Sequence, residues 1–235
     1  MRKMLRKIKL GINSLFFYPS KILSETEYDK YWESKRGSNM NEMNSFQQKR
    51  AEIIGSLIDK NTTLLDIGTG DGNILKEISK KININITASD FSIKSITHLK
   101  EEDFNVIELD VNDSSSLEKI DVYDFISALE VLEHIQNPEK VLFQLLDKSK
   151  KGVFISFPNT GYIFFRLRFL FGRFPIQWRL HPGEHLRFWT YKDLKWWLKK
   201  LSISNYKIYT YEGIPLFNKL YPSLFAEAFL IQIKK

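Results

Sequence analysis

Glu130, Glu133 and His134 stand at i, i+3 and i+4, a spacing that gathers three side chains on one helical turn. Two carboxylates and an imidazole so grouped can move a proton or hold a hard divalent cation, and His185 would complete a four-residue set. His134 and His185 are therefore the candidate bases, and Glu130, Glu133, His134 and His185 the candidate metal ligands. The chain has no cysteine, which excludes thiol nucleophiles, Cys-ligated zinc, iron–sulfur clusters and disulfides.

A second constellation is Leu64-Leu65-Asp66-Ile67-Gly68-Thr69-Gly70-Asp71-Gly72. Glycines between a strand and a helix allow a tight turn and let a ligand approach backbone N–H groups. A dinucleotide fingerprint wants G-x-G-x-x-G, but Asn73 occupies the third glycine's place and the spacing is G-x-G-x-G. Asp90 follows Gly68 by 22 residues, at the end of the next β-like run.

These residues need elements to position them. Gln47 to Ile58 is apolar at helical spacing, Thr62 to Asp66 is β-rich, and Ile74, Leu75 and Ile78 share a helical face. Ile82, Ile84 and Ile86 alternate as in a strand ending at Asp90. Ser92 to Leu99 reads as a helix, Phe104 to Leu109 and Val122 to Leu129 as strands, Pro138 to Leu146 as a helix, and Gly152 to Phe157 as a fifth strand. After residues without a clean period, a helix at Tyr191 to Leu201 and strands near Ser204 to Tyr211 and Ala226 to Ile233 complete the order. The alternation predicts an α/β, Rossmann-like, doubly wound and mostly parallel seven-stranded sheet with an antiparallel last strand. Residues 158–189 break the alternation for longer than ordinary loops of about 12–15 residues, so a cap inserted after the fifth strand is expected. The predicted layout is a basic amphipathic segment at 1–24 and one domain at 25–235.

The glycine triplet between Asp66 and Asp90 resembles that of the class I S-adenosylmethionine (SAM)-dependent methyltransferases. The resemblance implies that Asp66 orients the methionine amino group and that Gly68, Thr69 and Gly70 run along methionine and ribose. It implies further that Asp90, with Phe91 beside it, holds the ribose, and that Asp110 and the Val111 backbone hold adenine. Glu130-Val131-Leu132-Glu133-His134 is similar to the signature after the fourth strand of many such enzymes, so Glu130 joins the cofactor set. Tyr28-Asp29-Lys30-Tyr31-Trp32 looks like the aromatic segment that precedes this domain. Ile155 to Asn159, Gly172 to Pro175, His185, Trp189-Thr190 and Asp193-Leu194 look like the MetW-like branch and related small-molecule O-methyltransferases.

Charge divides along the chain. The formal net charge is +7, yet residues 1–10 hold Arg2, Lys3, Arg6, Lys7 and Lys9 with no acid, and the cap holds Arg166, Arg168, Arg173, Arg179 and Arg187. The stretch between these two regions is net acidic, which suits a cationic sulfonium. Arg166, Arg173, Arg179 and Arg187, with Trp178, are the candidate acceptor residues, because guanidinium forks anions and aromatic faces stack on sugars or bases. The expected reaction is methyl transfer from SAM to an oxygen of a small anionic acceptor, such as a sugar nucleotide or surface-glycan precursor. Two alternatives stand beside it: RNA 2′-O-methylation through a divalent metal, and a MetW-like non-catalytic or regulatory partner in methionine biosynthesis. No run approaches the roughly 18 apolar residues of a bilayer span, and the first residues, interrupted by Lys7, Lys9 and Gly11, are not expected to act as a secretory leader. The protein is expected in the cytoplasm, with residues 1–16 able to meet the inner membrane surface or to pack as an amphipathic helix on their own domain.

Overall fold

The structure is a computed structural model describing residues 2–19, 22, 42–178 and 181–235. The segment Tyr28 to Trp32 and the candidate Arg179 lie outside the described residues. In chain order the elements are α1 (Arg2–Ser14), α2 (Ser45–Gly55), β1 (Thr63–Ile67), α3 (Asn73–Ser79), β2 (Asn85–Asp90), α4 (Ile93–Glu101) and β3 (Asn105–Glu108). They continue as α5 (Ser114–Glu118), β4 (Tyr123–Leu129), α6 (Pro138–Asp147), β5 (Ser149–Pro158) and α7 (Ile163–Leu170). The last are α8 (Tyr191–Lys200), β6 (Tyr206–Tyr211), α9 (Phe217–Leu220), α10 (Pro222–Phe225) and β7 (Ala228–Lys234). One-turn 3₁₀ helices occupy Leu132–His134 and Pro182–Glu184.

The strands form one seven-stranded sheet in the order β3-β2-β1-β4-β5-β7-β6. β7 runs antiparallel to both β5 and β6, and the other pairings are parallel. This is the expected Rossmann-like sheet. Successive β1 residues face opposite sides: Leu65 packs into the layer that contains Leu142, Trp197 and Leu198, and Leu64 into the layer that contains Ile54, Leu75 and Leu99. Both faces are covered, so neighbouring residues of the central strands, such as Leu64 and Leu65 or Phe154 and Ile155, are both buried. Chain order reverses between β1 and β4, and their carboxyl ends diverge into a crevice. Asp66 and Glu130 lie at that switch.

The amphipathic N-terminal segment packs on its own domain. Met4, Ile8 and Leu15 join Tyr162, Phe164 and Ile214, while Leu5 and Ile12 stay exposed. A Cβ on Gly11 would sit 2.1 Å from the Phe164 ring, so the glycine lets α1 lie against α7. The cap is pinned at both ends by an isolated bridge between Asn159 and Trp189. Asn159 is fully buried; its amide donates to the Ala226 carbonyl at 2.7 Å, and its Oδ1 accepts from the Gly161 N–H at 2.9 Å. The Pro158-Asn159 pair thus closes the fold where the cap leaves the sheet.

Candidate active site

A cavity of about 390 Å³ opens at the carboxyl ends of β1, β2 and β4. Of the expected cofactor residues, Asp66, Gly68, Thr69, Asp90, Phe91, Val111 and Glu130 line it. Gly70 and Asp110 do not line it.

The glycine loop holds its shape through the second strand. Gly68, Gly70 and Gly72 all adopt positive φ. A side chain at Gly68 would bring a Cβ within 2.8 Å of Val131 Cγ2, so its bare backbone forms the floor between β1 and β4. The Gly70 N–H donates to Asp90 Oδ2 at 2.8 Å and the Ser92 N–H to Oδ1 at 2.9 Å. Thr69 fastens the same junction, its N–H donating to the Ser89 carbonyl at 2.8 Å. Asp90 is therefore oriented by backbone before any ligand arrives.

Asp66 is buried, and burial lifts its carboxyl to about 7, against hydrogen bonds from Ser127 and Thr69 and the nearby Arg50 charge. Ser127 Oγ donates to Asp66 Oδ1 at 2.5 Å. A carboxylate this costly to ionise favours a cationic ligand that restores its charge balance.

Arg50, on α2, is the group that sequence reasoning missed. Nη1 pairs with Glu130 Oε1 at 3.1 Å, while Nε is buried without a hydrogen-bond partner. Burial works against the guanidinium charge, but Tyr211, Glu130 and Glu133 outweigh it, so Arg50 stays protonated. Glu130 sits at φ +58, a strained conformation for a residue with a Cβ. It also accepts from Ser156 Oγ at 2.8 Å. The only advance signal for Arg50 was its place in an amphipathic helix before β1.

The catalytic candidates do meet. The His134 and His185 rings lie 4.7 Å apart, edge to face. His134 Nδ1 bonds the Glu184 carbonyl, which can only accept, so Nδ1 carries a proton and Nε2 would be the basic nitrogen whenever the ring is neutral. The Glu133 carbonyl accepts from the Leu186 and Arg187 N–H groups at 2.8 and 3.0 Å and clips the cap to the loop after β4. Donor atoms of Glu133, His134 and His185 lie within 4.8 Å of one another. Glu130, expected as a fourth ligand, is instead tied to Arg50 and Ser156.

The acceptor candidates fall elsewhere. Arg166 donates to the carbonyls of Gly161 and Ser223, Arg173 to that of Phe16, and Arg187 to that of Gln136. Long guanidinium side chains in a loop-rich cap find unpaired carbonyls, and those carbonyls take them away from the cavity. Trp178 is half-buried but does not line the cavity; its neighbour Gln177 does, as does Phe165. Asp110 is exposed and accepts from the Asn112 N–H at 2.9 Å, leaving Leu109, Val111 and Asn112 along the wall.

These groups fit SAM. The methionine ammonium requires a carboxylate, which Asp66 would supply, and the methionine carboxylate requires a cation, which the Arg50 Nε would supply. The ribose diol requires acceptors, which the cavity-lining Asp90 would supply. A parallel-centred sheet with the 3-2-1-4-5-7-6 order and this cavity at its switch point define a SAM-dependent methyltransferase of class I. The chain belongs to the methyltransferase domain family, whose model matches residues 38–205. It is similar to the ubiquinone biosynthesis O-methyltransferase of Nitrosomonas europaea, with 31% identity over 118 residues. Those residues are 47% of this chain and 48% of that one, so the match spans about half the length of the curated relative. A solved SAM-dependent methyltransferase from Archaeoglobus fulgidus shares the fold with a TM-score of 0.62 and 19% identity, covering 89% of this chain and all of that one. The putative methyltransferase solved with the Trm112 methyltransferase activator of Haloferax volcanii does so at 0.60 and 12%, covering 90% and 99%.

Proposed function

We propose that the protein is a cytoplasmic enzyme that transfers the methyl group of SAM to an oxygen of a small acceptor, with His134 as the base. The observation that carries this reading is the His134 Nδ1 bond to the Glu184 carbonyl, because it leaves Nε2 as the basic nitrogen of a cavity-lining imidazole. A hydroxyl is a weak nucleophile until its proton leaves, so an oxygen acceptor needs such a base. The O-methyltransferase name of the Nitrosomonas relative supports the same atom. When bound, SAM supplies an electrophilic methyl on a sulfonium. Arg50, Asp66 and Asp90 would hold it, and His134 would take the acceptor proton while His185, packed edge-on, keeps the ring oriented.

An anionic sugar nucleotide or glycan precursor, the acceptor class expected from the sequence, loses support from Arg166, Arg173 and Arg187, whose guanidinium groups serve carbonyls. Phenolic acceptors therefore belong in the same screen. Methyl transfer to a hydroxyl compound that disappears in His134→Ala while cofactor affinity persists supports the reading; unchanged turnover refutes it.

A second reading rests on the Glu133, His134 and His185 cluster, whose carboxylate and two imidazoles suit a divalent cation. The Glu184 carbonyl would then be the outer partner that orients the His134 ring. Activity abolished by a chelator and restored by a divalent ion supports this reading, and RNA would join the acceptor panel. Full activity in chelator removes the metal and, with it, the RNA alternative.

A further inference from the structure

Two apolar turns lie side by side on the cap and project outward. Phe16, Phe17 and Tyr18, just after α1, are each more than half exposed, and so are Phe169, Leu170, Phe171 and Phe174 at the end of α7. The Phe16 and Phe171 rings meet at 5.6 Å across the two turns, and Phe169 and Phe174 pack edge to face at 5.2 Å within the second, so the turns make one surface. A buried arginine builds it: Arg168 donates to the carbonyls of Ser14, Leu15 and Phe17 in one turn and of Phe174 in the other. Its guanidinium holds both turns in place and presents their rings to solvent. Exposed apolar area of this kind on a single chain marks an interaction surface.

Charge identifies the occupant. Residues 1–23 and 159–183, which contain the two turns, hold no Asp or Glu. Arg2, Arg6 and Lys9 are exposed along the outward crest of α1, and the Arg173 guanidinium lies 5.0 Å over Phe16 and 5.2 Å over Tyr18. Lys7, by contrast, turns inward to Glu212 and Glu227 at 2.7 and 3.1 Å. The exposed aromatic rings and cations of these two acid-free segments match the headgroup region of a negatively charged bilayer. Among the described residues no helix is long and apolar enough to cross a membrane, so the contact would be peripheral.

We propose that this tip seats the protein on an anionic membrane surface. It differs from the role first expected for residues 1–16, because Met4, Ile8 and Leu15 pack inside the domain and it is chiefly the turns at 16–18 and 169–174 that would meet lipid. Aromatic contacts run from the tip toward the cavity: Phe174 to Phe188 at 5.6 Å, Phe188 to His185 at 6.2 Å and His185 to His134 at 4.7 Å. A bound bilayer would thus lie beside the wall of the cavity formed by Phe165 and His185.

The test is sedimentation of the full chain with vesicles of phosphatidylcholine alone and of phosphatidylcholine mixed with phosphatidylglycerol. Binding to the anionic vesicles only, weakening with salt, is expected. Phe17→Ser combined with Leu170→Ser, and separately Arg6→Glu combined with Lys9→Glu, should each lower the bound fraction about tenfold or more. Unchanged circular dichroism and S-adenosylhomocysteine affinity show that these variants are folded. No binding by the wild type, equal binding to neutral vesicles, or variants that bind as the wild type does would each overturn the proposal. So would a lipid-free dimer that the Phe17 and Leu170 changes convert to monomer, which would make the tip an interface between two copies.

Discussion

Arg50 Nη1 lies 3.1 Å from Glu130 Oε1, joining the helix before the first strand to the loop after the fourth across the floor of the cavity. The pair fixes the guanidinium beside Asp66 and commits Glu130 to a positioning task rather than to metal or proton chemistry. In the proposed site, cofactor affinity would depend on a residue outside the glycine motif.

Arg50→Ala should weaken S-adenosylhomocysteine binding by about tenfold to a hundredfold, the value of a charge-assisted hydrogen bond. Arg50→Lys should recover only part of it, because an ammonium cannot serve Glu130 and a ligand carboxylate as a planar fork does. Glu130→Gln should produce a smaller loss in the same direction. Calorimetric titration measures all three, and affinity unchanged in Arg50→Ala would remove Arg50 from the cofactor site.

Asp66 gives a pH dependence of known sign. Its folded value of about 7 lies above the ordinary 3.8, so across that window the folded protein keeps a proton that the unfolded chain has lost. The Asp66 contribution to the stability of the cofactor-free protein therefore falls as pH rises through that window. The melting-temperature advantage of Asp66→Asn over wild type should grow from about pH 4 to about pH 7 and then level. Cofactor runs the other way, since its ammonium favours the ionised carboxyl: the rise in melting temperature that it produces in the wild type should increase up to about pH 7. A difference between the two proteins that does not vary with pH would place the titration elsewhere.

Gly68→Ala tests the loop. The added Cβ meets Val131 and the residue must keep φ +64, a strain of about 1–2 kcal/mol. A domain of this size should melt about 2–8 °C lower, with weaker cofactor binding. Wild-type melting and affinity together would mean that the loop relaxes without loss.

His134→Ala should reduce turnover by roughly a hundredfold to ten-thousandfold, as removal of a general base does, and leave S-adenosylhomocysteine affinity within about twofold. His185→Ala should cost less, since that ring packs against the base rather than taking the proton. Parallel losses of binding and turnover in His134→Ala would indicate a structural role instead.

Much of the cofactor half was legible because local rules act there. Strand, glycine turn and helix follow each other without interruption, and Asp66, Gly68 and Asp90 are placed by strand ends that alternation reveals. The cap was not legible. Its helix at Ile163–Leu170 is apolar on every side except at Arg166 and Arg168, so no helical period shows. Its arginines read as anion ligands, but carbonyls exposed by tight turns competed for them, and no sequence pattern records that competition. Arg50 was hidden for a related reason: a basic residue on a surface helix looks solvated until the fold turns it inward onto Glu130. The meeting of His134 and His185 was expected, while the Glu184 carbonyl that sets the tautomer depends on a one-turn helix in the cap.

The measurement that bears most directly on the proposed function is nuclear magnetic resonance of the product formed from isotope-labelled-methyl SAM with a panel of phenols, quinols, sugar nucleotides and RNA. The expected result is a methyl resonance of an O-methyl group on one acceptor class, formed by the wild type and absent with His134→Ala. Label on nitrogen, carbon or sulfur, or an O-methyl product formed equally by His134→Ala, would contradict it.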